Sequence, residues 1–125
     1  MIYINKNDVN LIDLTLSEST DIVNPNYLFQ FIYEANIPDT DVYGNVIEPQ
    51  IYFTTPDISF APIRFNRFEL TESNTGSETG GDDIPLKLLA GQYKYIVYAT
   101  DITIDINSID FNYFTEVEEG RMVVS

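Results

Sequence analysis

The sequence has no cysteine, no histidine and no tryptophan among its 125 residues. Without cysteine the chain has no disulfide framework and no thiol nucleophile. Without histidine it lacks the commonest general base and the commonest metal ligand of proteins. These absences exclude catalytic constellations built on histidine, and they also remove the aromatic residue that most often forms a platform for sugars.

Basic residues are scarce: Lys and Arg number 6 against 20 Asp and Glu, which gives a formal charge of −14. Nucleic-acid binding depends on Lys and Arg that neutralise phosphates. We therefore predict no nucleic-acid partner, and the same reasoning disfavours an anionic membrane surface. The negative charge has two open interpretations, which are solubility through self-repulsion and docking onto a basic protein surface.

Long apolar runs are also missing. No stretch approaches the roughly 20 residues that a membrane-spanning helix needs. The first eight residues, MIYINKND, lack the basic start and the apolar run of a signal peptide. We therefore expect synthesis and folding in a cytoplasm, and the length predicts a single domain over residues 1–125.

What the sequence does contain is nine Tyr and eight Phe, which favour the pleated surface of β-strands. The clearest strand is 27–34, where aromatic residues alternate with others after the turn residue Pro25, so we expect a central strand. The other predicted strands are 9–16, 50–55, 63–71, 84–89, 92–100, 102–106, 110–116 and 121–124. The predicted connections are a loop at 36–49, a flexible polar loop at about 72–83 and a turn at Glu119-Gly120.

Eight or nine short strands without helical periodicity predict an all-β sandwich or barrel. The segment GQYKY at 91–95 favours the sandwich. Immunoglobulin-like domains carry a Tyr at the start of strand F, two residues before a core position, whose hydroxyl bonds to upstream backbone. Tyr93 would take this role after Gly91, with Tyr95 in the core. The predicted fold is a single immunoglobulin-like β-sandwich, although Tyr93 has the simpler interpretation of one more strand tyrosine.

No catalytic site emerges from the sequence. Glycosidases need two carboxylates that face each other across a cleft, about 5–9 Å apart, and a small sandwich with short loops offers little room for one. We predict neither an enzyme nor a cofactor. Calcium is the one metal that suits the available oxygen ligands, and its candidate ligands are Asp82-Asp83 or the pair Asp101 and Asp105. No Asp-x-Asp-x-Asp-Gly loop accompanies them.

Three arginines stand out because basic residues are so few: Arg64, Arg67 and Arg121. One interpretation is that each forms an ion pair with one of the many carboxylates of the chain. The other is that they anchor a protein interface, a position in which Arg is enriched.

Five segments together carry a family resemblance: TLSE (15–18), NPNYLFQF (24–31), RFNRF (64–68), LAGQYKYIVY (89–98) and EEGRMVV (118–124). This series resembles small virion proteins of tailed phages that infect Bacteroidetes, including crAss-like phages. The resemblance spans nearly the whole chain, but its motifs belong to the fold and carry no catalytic residue.

The resemblance implies a structural protein that is present in many copies in the virion, with other virion proteins as partners. The first expectation is an auxiliary protein that decorates the capsid and contacts the major capsid protein. A neck, tail or head-fibre attachment component is the alternative, and a carbohydrate-binding module is the alternative from another class. A flat row of exposed Tyr favours sugar binding, and scattered Tyr favour assembly. The strong negative charge predicts a monomer in solution.

Overall fold

The computed structural model describes residues 1–16, 25–34, 39–40, 46–47, 50–58 and 66–125, with the backbone alone at 39–40 and 46–47. These residues form ten β-strands and one short 3₁₀ turn, Phe111–Tyr113. The strands are β1 (Ile2–Ile4), β2 (Val9–Leu14), β3 (Asn26–Tyr33), β4 (Asp39–Thr40), β5 (Val46–Ile47), β6 (Gln50–Thr54), β7 (Asn66–Ser77), β8 (Gly80–Asp82), β9 (Gly91–Thr100) and β10 (Thr115–Val124). Within the described part of the chain, no helix has the length and apolar character to cross a membrane.

The strands form one large sheet and two small ones. The large sheet has the order β1-β10-β9-β3-β6-β8, β2 pairs with β7, and β4 pairs with β5. The large sheet and the β2–β7 pair enclose a common core as in a β-sandwich, and the order β10-β9-β3-β6 beside a β2–β7 pair resembles the strand pairing of immunoglobulin-like domains. The predicted all-β sandwich is confirmed, and β3 is the central strand expected from its alternating aromatics.

The core lies between the large sheet and the β2–β7 pair. The ring of Phe68 on β7 meets Phe29 on β3 edge to face at 4.9 Å and Tyr27 at 5.5 Å. Edge-to-face aromatic pairs add about 0.5–1.5 kcal/mol beyond the burial of their area. Ile12 and Leu14 of β2 and Phe31 of β3 belong to the same buried cluster, so side chains of both sheets interdigitate.

The predicted loop at about 72–83 is wrong as a description of the backbone. β7 continues to Ser77, and β8 pairs in parallel with Tyr52–Thr54 of β6. The small residues that suggested a loop permit close backbone approach instead: at Gly80, with φ +99°, a Cβ would lie 1.9 Å from the carbonyl oxygen of Tyr52. Glycine tolerates both the positive φ and the contact.

The predicted strand at 84–89 is an extended segment outside the sheets, with isolated bridges at Leu86. The amide of Ser77 donates to the Pro85 carbonyl at 2.9 Å, and that of Lys87 donates to the Ser77 carbonyl at 2.8 Å. Leu86 and Leu88 are buried in the main core. This segment therefore contributes apolar side chains to the core, and its alternating pattern reflects that burial.

The predicted turn at Glu119-Gly120 is also wrong, because β10 runs through it without a break. Gly120 pairs with Tyr95 of β9. A Cβ on Gly120 would lie 2.8 Å from the Tyr95 hydroxyl oxygen and 2.9 Å from its ring carbons. The glycine makes room for the tyrosine ring and does not turn the chain.

The predicted strand at 102–106 is absent, and the first part of the predicted strand at 110–116 is the 3₁₀ turn. Both segments belong to the connection between β9 and β10. Asp110 caps the turn by accepting a hydrogen bond from the Asn112 amide at 3.0 Å. The apolar residues of this connection, such as the buried Ile104, pack onto other parts of the domain and not into a strand of their own.

Two further predictions fall partly outside the described residues. The expected loop at 36–49 contains the β4–β5 pair, with Asp39 opposite Ile47 and Thr40 opposite Val46. The strand predicted from residue 63 is described from Asn66, and from there its register against β2 is regular. Residues 63–65 of that predicted strand lie outside the described residues.

Candidate functional site

The tyrosine-corner residues have the geometry that the sequence pattern predicts. The Tyr93 hydroxyl donates to the Leu89 carbonyl at 3.0 Å, and burial raises the pKa of Tyr93 to about 12. Tyr95 is 2% exposed in the core. Gly91 opens β9 with φ +136°, and Pro25 directly precedes β3. These residues support the fold.

The structure describes two of the three arginines, and they lie on different sheets. Arg67 makes a bidentate ion pair with Asp13 at 2.7 and 3.0 Å on the β2–β7 sheet. This hydrogen bonding lowers the pKa of Asp13 and raises that of Arg67. Arg121 pairs with Glu34 on the large sheet. Arg64 lies outside the described residues.

Two of the four candidate calcium ligands accept local hydrogen bonds. Asp83 accepts a hydrogen bond from the Thr55 hydroxyl at 2.9 Å, and Asp105 accepts one from the Asn107 amide at 3.0 Å. Within the described ranges, no three acidic side chains come together in a group that could hold a metal ion. This arrangement gives the calcium hypothesis no support.

A further candidate surface is the side of the large sheet that faces away from the core, which we call the outer face. Cross-strand pairing aligns its side chains in three rows. The rows are Glu116–Tyr98–Leu28–Thr54, Glu119–Ile96–Gln30–Tyr52 and Arg121–Lys94–Ile32–Gln50. Aliphatic and aromatic side chains thus alternate with amides in the middle strands, and charged side chains lie on β10.

The first row is covered by the connection between β9 and β10. The ring of Phe111 lies 5.3 Å from that of Tyr98 and 6.0 Å from that of Tyr52. Leu28 is fully buried although it points away from the main core. Phe111 itself remains 44% exposed, so this end of the outer face presents an aromatic ridge to solvent.

Amide hydrogen bonds fix the middle of the outer face. Gln30 donates to the Gln50 side chain at 2.8 Å and accepts from the Tyr98 hydroxyl at 3.0 Å. Burial, followed by the negative charge of Glu116, raises the pKa of Tyr98. The network holds the aromatic side chains in fixed orientations. Less side-chain conformational entropy is therefore lost when a partner binds.

Ion pairs border the outer face. Lys94 lies 3.7 Å from Glu119, and Arg121 pairs with Glu34. Each of the other described cations also has a carboxylate neighbour: Lys6 with Glu72, Arg67 with Asp13 and Lys87 with Glu78. The described cations are therefore paired within the chain.

The exposed tyrosines are scattered. Tyr3 on β1 is 69% exposed and Tyr113 in the 3₁₀ turn is 60% exposed. Tyr3 pairs with Val123 at the edge strand, whereas Tyr113 lies in the connection that covers the other end of the outer face. The ring of Phe111 is inclined by 50° to Tyr52 and by 58° to Tyr98. Across the described ranges, these rings form no flat row.

The outer face was not predicted as a site. Its signal lay in Leu28 and Ile32, which share the second side of an otherwise amphipathic strand and indicate that this side is also partly covered. Comparison of the chain with protein-family models, with curated proteins and with solved structures finds no match.

Proposed function

We propose that this chain is a non-enzymatic structural protein of a tailed-phage virion, an auxiliary protein that decorates the capsid and docks through the outer face of its large sheet. The observation that carries the docking part is the rigid aromatic and aliphatic surface of the outer face with its border of ion pairs. The phage assignment rests on the resemblance of the sequence segments. A neck, tail or head-fibre position is the alternative within the same particle.

The composition of the outer face suits a protein partner. Interfaces have an apolar centre enriched in aromatic residues and Arg, within a polar rim. Ile32 and Ile96 lie half-buried at the centre, Tyr52 lies beside them, and Arg121 lies at the border. The opposite sheet exposes Val9 and Leu11 at 53% and 55%, but its surface has only two strands.

Charge supports a basic or apolar partner surface. A chain of net charge −14 repels its own copies, and its described cations already have carboxylate neighbours. Attraction to a basic patch on the major capsid protein would speed association, and this effect would weaken as salt rises. The same repulsion favours a monomer before docking.

Carbohydrate binding is the weaker candidate from another class. Tyr52, Tyr98 and Phe111 with the amides of Gln30 and Gln50 resemble a sugar site in residue type. The inclined rings and the scattered exposed tyrosines favour assembly instead.

Binding to capsid shells that lack this protein tests the proposal. We expect saturable binding, with an association rate that falls as ionic strength rises. Ile96→Glu on the outer face should weaken binding by at least tenfold, since a charge buried without a partner costs several kcal/mol. Leu11→Glu, the same type of change on the opposite sheet, is the matched control and should bind normally.

Absence of binding under every condition would reject capsid decoration and favour the neck or tail. Equal losses for both variants would remove the outer face as the docking surface. Thermal unfolding of both variants checks that each remains folded.

A further inference from the structure

One side of the sandwich is open beside β10. Strand β1 pairs only with Met122–Val124 of β10. Along the preceding half of β10, no strand in the described ranges occupies the outer edge. A cleft of about 280 Å³ lies there between the two sheets, lined by Met1, Asp13, Leu14, Thr15, Tyr95 and Glu118.

A β-bulge turns Glu118 toward this cleft. The β9–β10 register is regular up to Glu116 opposite Tyr98, then shifts so that Glu118 lies opposite Val97. Val97 is a core residue, so Glu118 points inward between the sheets. Bulges commonly re-aim a side chain in this way beside functional sites.

The inward carboxylate is incompletely hydrogen-bonded. Its Oε1 accepts one long hydrogen bond, 3.4 Å from the Tyr95 hydroxyl. Its Oε2 is shielded from solvent and accepts none from the described residues. Such an oxygen is unfavourable, because a buried charge needs a donor or a counter-charge. This oxygen therefore has the capacity to accept a hydrogen bond from another molecule.

We propose that the cleft binds a lysine or arginine side chain of a partner protein, with the cationic end on Glu118. Leu14 and Met1 offer apolar walls for the methylene stem, as basic side chains prefer. Arg67 already engages Asp13, so among the described residues Glu118 is the carboxylate of the cleft without a cation. Glu118 as a whole is part-buried and lines the cleft, so its carboxylate can be approached from there.

The edge of β10 suits the backbone that carries this side chain. An extended segment can pair with free strand groups while its alternate side chains enter pockets. The inference rests on the proposed assembly function and names the chemical group by which the partner is held.

A titration of the isolated full chain tests the inference without capsid shells. The probe is Nα-acetyl-lysine methylamide, and the readout is the NMR shift of backbone amides. We expect saturable shifts at Tyr95 and Glu118. The Nε-acetylated probe, which has the same stem without charge, should produce none. Affinity should fall at least tenfold in Glu118→Gln and remain unchanged in Glu116→Gln, two residues away on the outer face.

Shifts that are equal for the charged and neutral probes, or that persist in Glu118→Gln, would overturn the inference, as would the absence of any shift. Shell binding is measured separately. Normal docking of Glu118→Gln together with a failed titration removes the lysine site and leaves the proposed function intact.

Discussion

Two glutamates occupy the space between the sheets at the two ends of β2, and their surroundings differ. Glu72 accepts hydrogen bonds from the amide of Asn7 at 3.1 Å and from that of Leu88 at 3.2 Å. The ammonium of Lys6 lies 3.9 Å from the same carboxylate. Glu118, beside the other end of β2, has one long hydrogen bond. The carboxylate with complete partners stabilises the fold, and the one with few partners is the one that we propose binds a ligand.

The completed site joins three segments of the chain by side-chain contacts. Glu72 on β7 binds the turn before β2 and the segment that follows β8. Lys6 strengthens the junction by donating to the Leu88 carbonyl at 2.6 Å. Asn7 has φ 58°, a left-handed conformation that Asn tolerates better than most residues. The Glu72 carboxylate accepts the hydrogen bond of this amide.

The largest expected effect follows from Glu72→Ala. The change leaves two amides without their acceptor and a lysine without its counter-charge, so we expect a loss of about 3 kcal/mol in the free energy of unfolding. Urea denaturation measures it. Glu69→Ala, at an exposed position of the same strand, is the control and should change stability by less than about 0.5 kcal/mol. A loss as small as the control would show that this junction is not structural.

Alkaline pH tests the two buried tyrosines beside these glutamates. Burial raises the pKa of both Tyr93 and Tyr95 to about 12, and the charge of Glu118 contributes at Tyr95. Because the ordinary tyrosine pKa is about 10, these hydroxyls stay protonated to a higher pH in the folded state than in the unfolded state. The associated stability is complete below pH 10 and is lost as pH rises from 10 to 12.

Melting temperature measured against pH should therefore fall across that window. Tyr95→Phe should reduce the fall, because one of the two titrating groups is removed. A wild-type melting temperature that stays constant from pH 10 to 12 would contradict the raised pKa values.

Gly120→Ala tests the packing beside Glu118. The new Cβ would meet the Tyr95 ring and hydroxyl within 3 Å, and crowding a packed interior typically costs about 1–3 kcal/mol. We expect a loss near the middle of that range by urea denaturation. The control is Glu119→Ala at the adjacent, outward-facing position, and it should lose far less stability. Equal effects would mean that the tyrosine ring moves aside freely.

Alternation of aromatic residues predicted β3 and the all-β class because each apolar side chain faces a core. The GQYKY segment predicted the sandwich because the Tyr93 hydroxyl bonds to backbone that is close in sequence, at Leu89. Prediction failed at two glycines. Gly80 and Gly120 suggested a loop and a turn, yet both lie in strands, where a Cβ would collide with the Tyr52 backbone and the Tyr95 side chain, respectively. The apolar pattern at 102–106 wrongly suggested a strand. Ile104 is buried in a connection between strands, and such burial also favours an apolar residue.

The sites were harder to predict than the fold. Arg67 and Arg121 were noticed because cations are rare, but sequence gives no means of pairing them with Asp13 and Glu34 across the fold. The inward direction of Glu118 depends on a bulge, since one extra residue in β10 reverses the side-chain alternation. The segment EVEEG alone predicts solvent-exposed acidic side chains. Only its register against the partner strand shows that Glu118 points inward.

Tyr93→Phe should have a moderate effect. It removes the hydroxyl that donates to Leu89 at 3.0 Å, and the net value of one such hydrogen bond is about 1 kcal/mol. Urea denaturation near pH 7 isolates this loss from tyrosine ionisation. Tyr3→Phe, at an exposed position, is the control. Unchanged stability in Tyr93→Phe would remove the energetic role of the tyrosine corner.

The smallest expected effect completes the comparison of the two glutamates. Glu118→Gln removes a shielded charge that has one long hydrogen bond, so we expect a change within about 0.5 kcal/mol, or a slight gain in stability. The same substitution at position 72 should destabilise, because it removes the counter-charge of Lys6 and replaces one acceptor oxygen with a donor that faces an amide. Urea denaturation of both variants gives the two values directly. A large loss of stability in Glu118→Gln would show that this carboxylate, like that of Glu72, stabilises the fold. It would then argue against Glu118 as a ligand site.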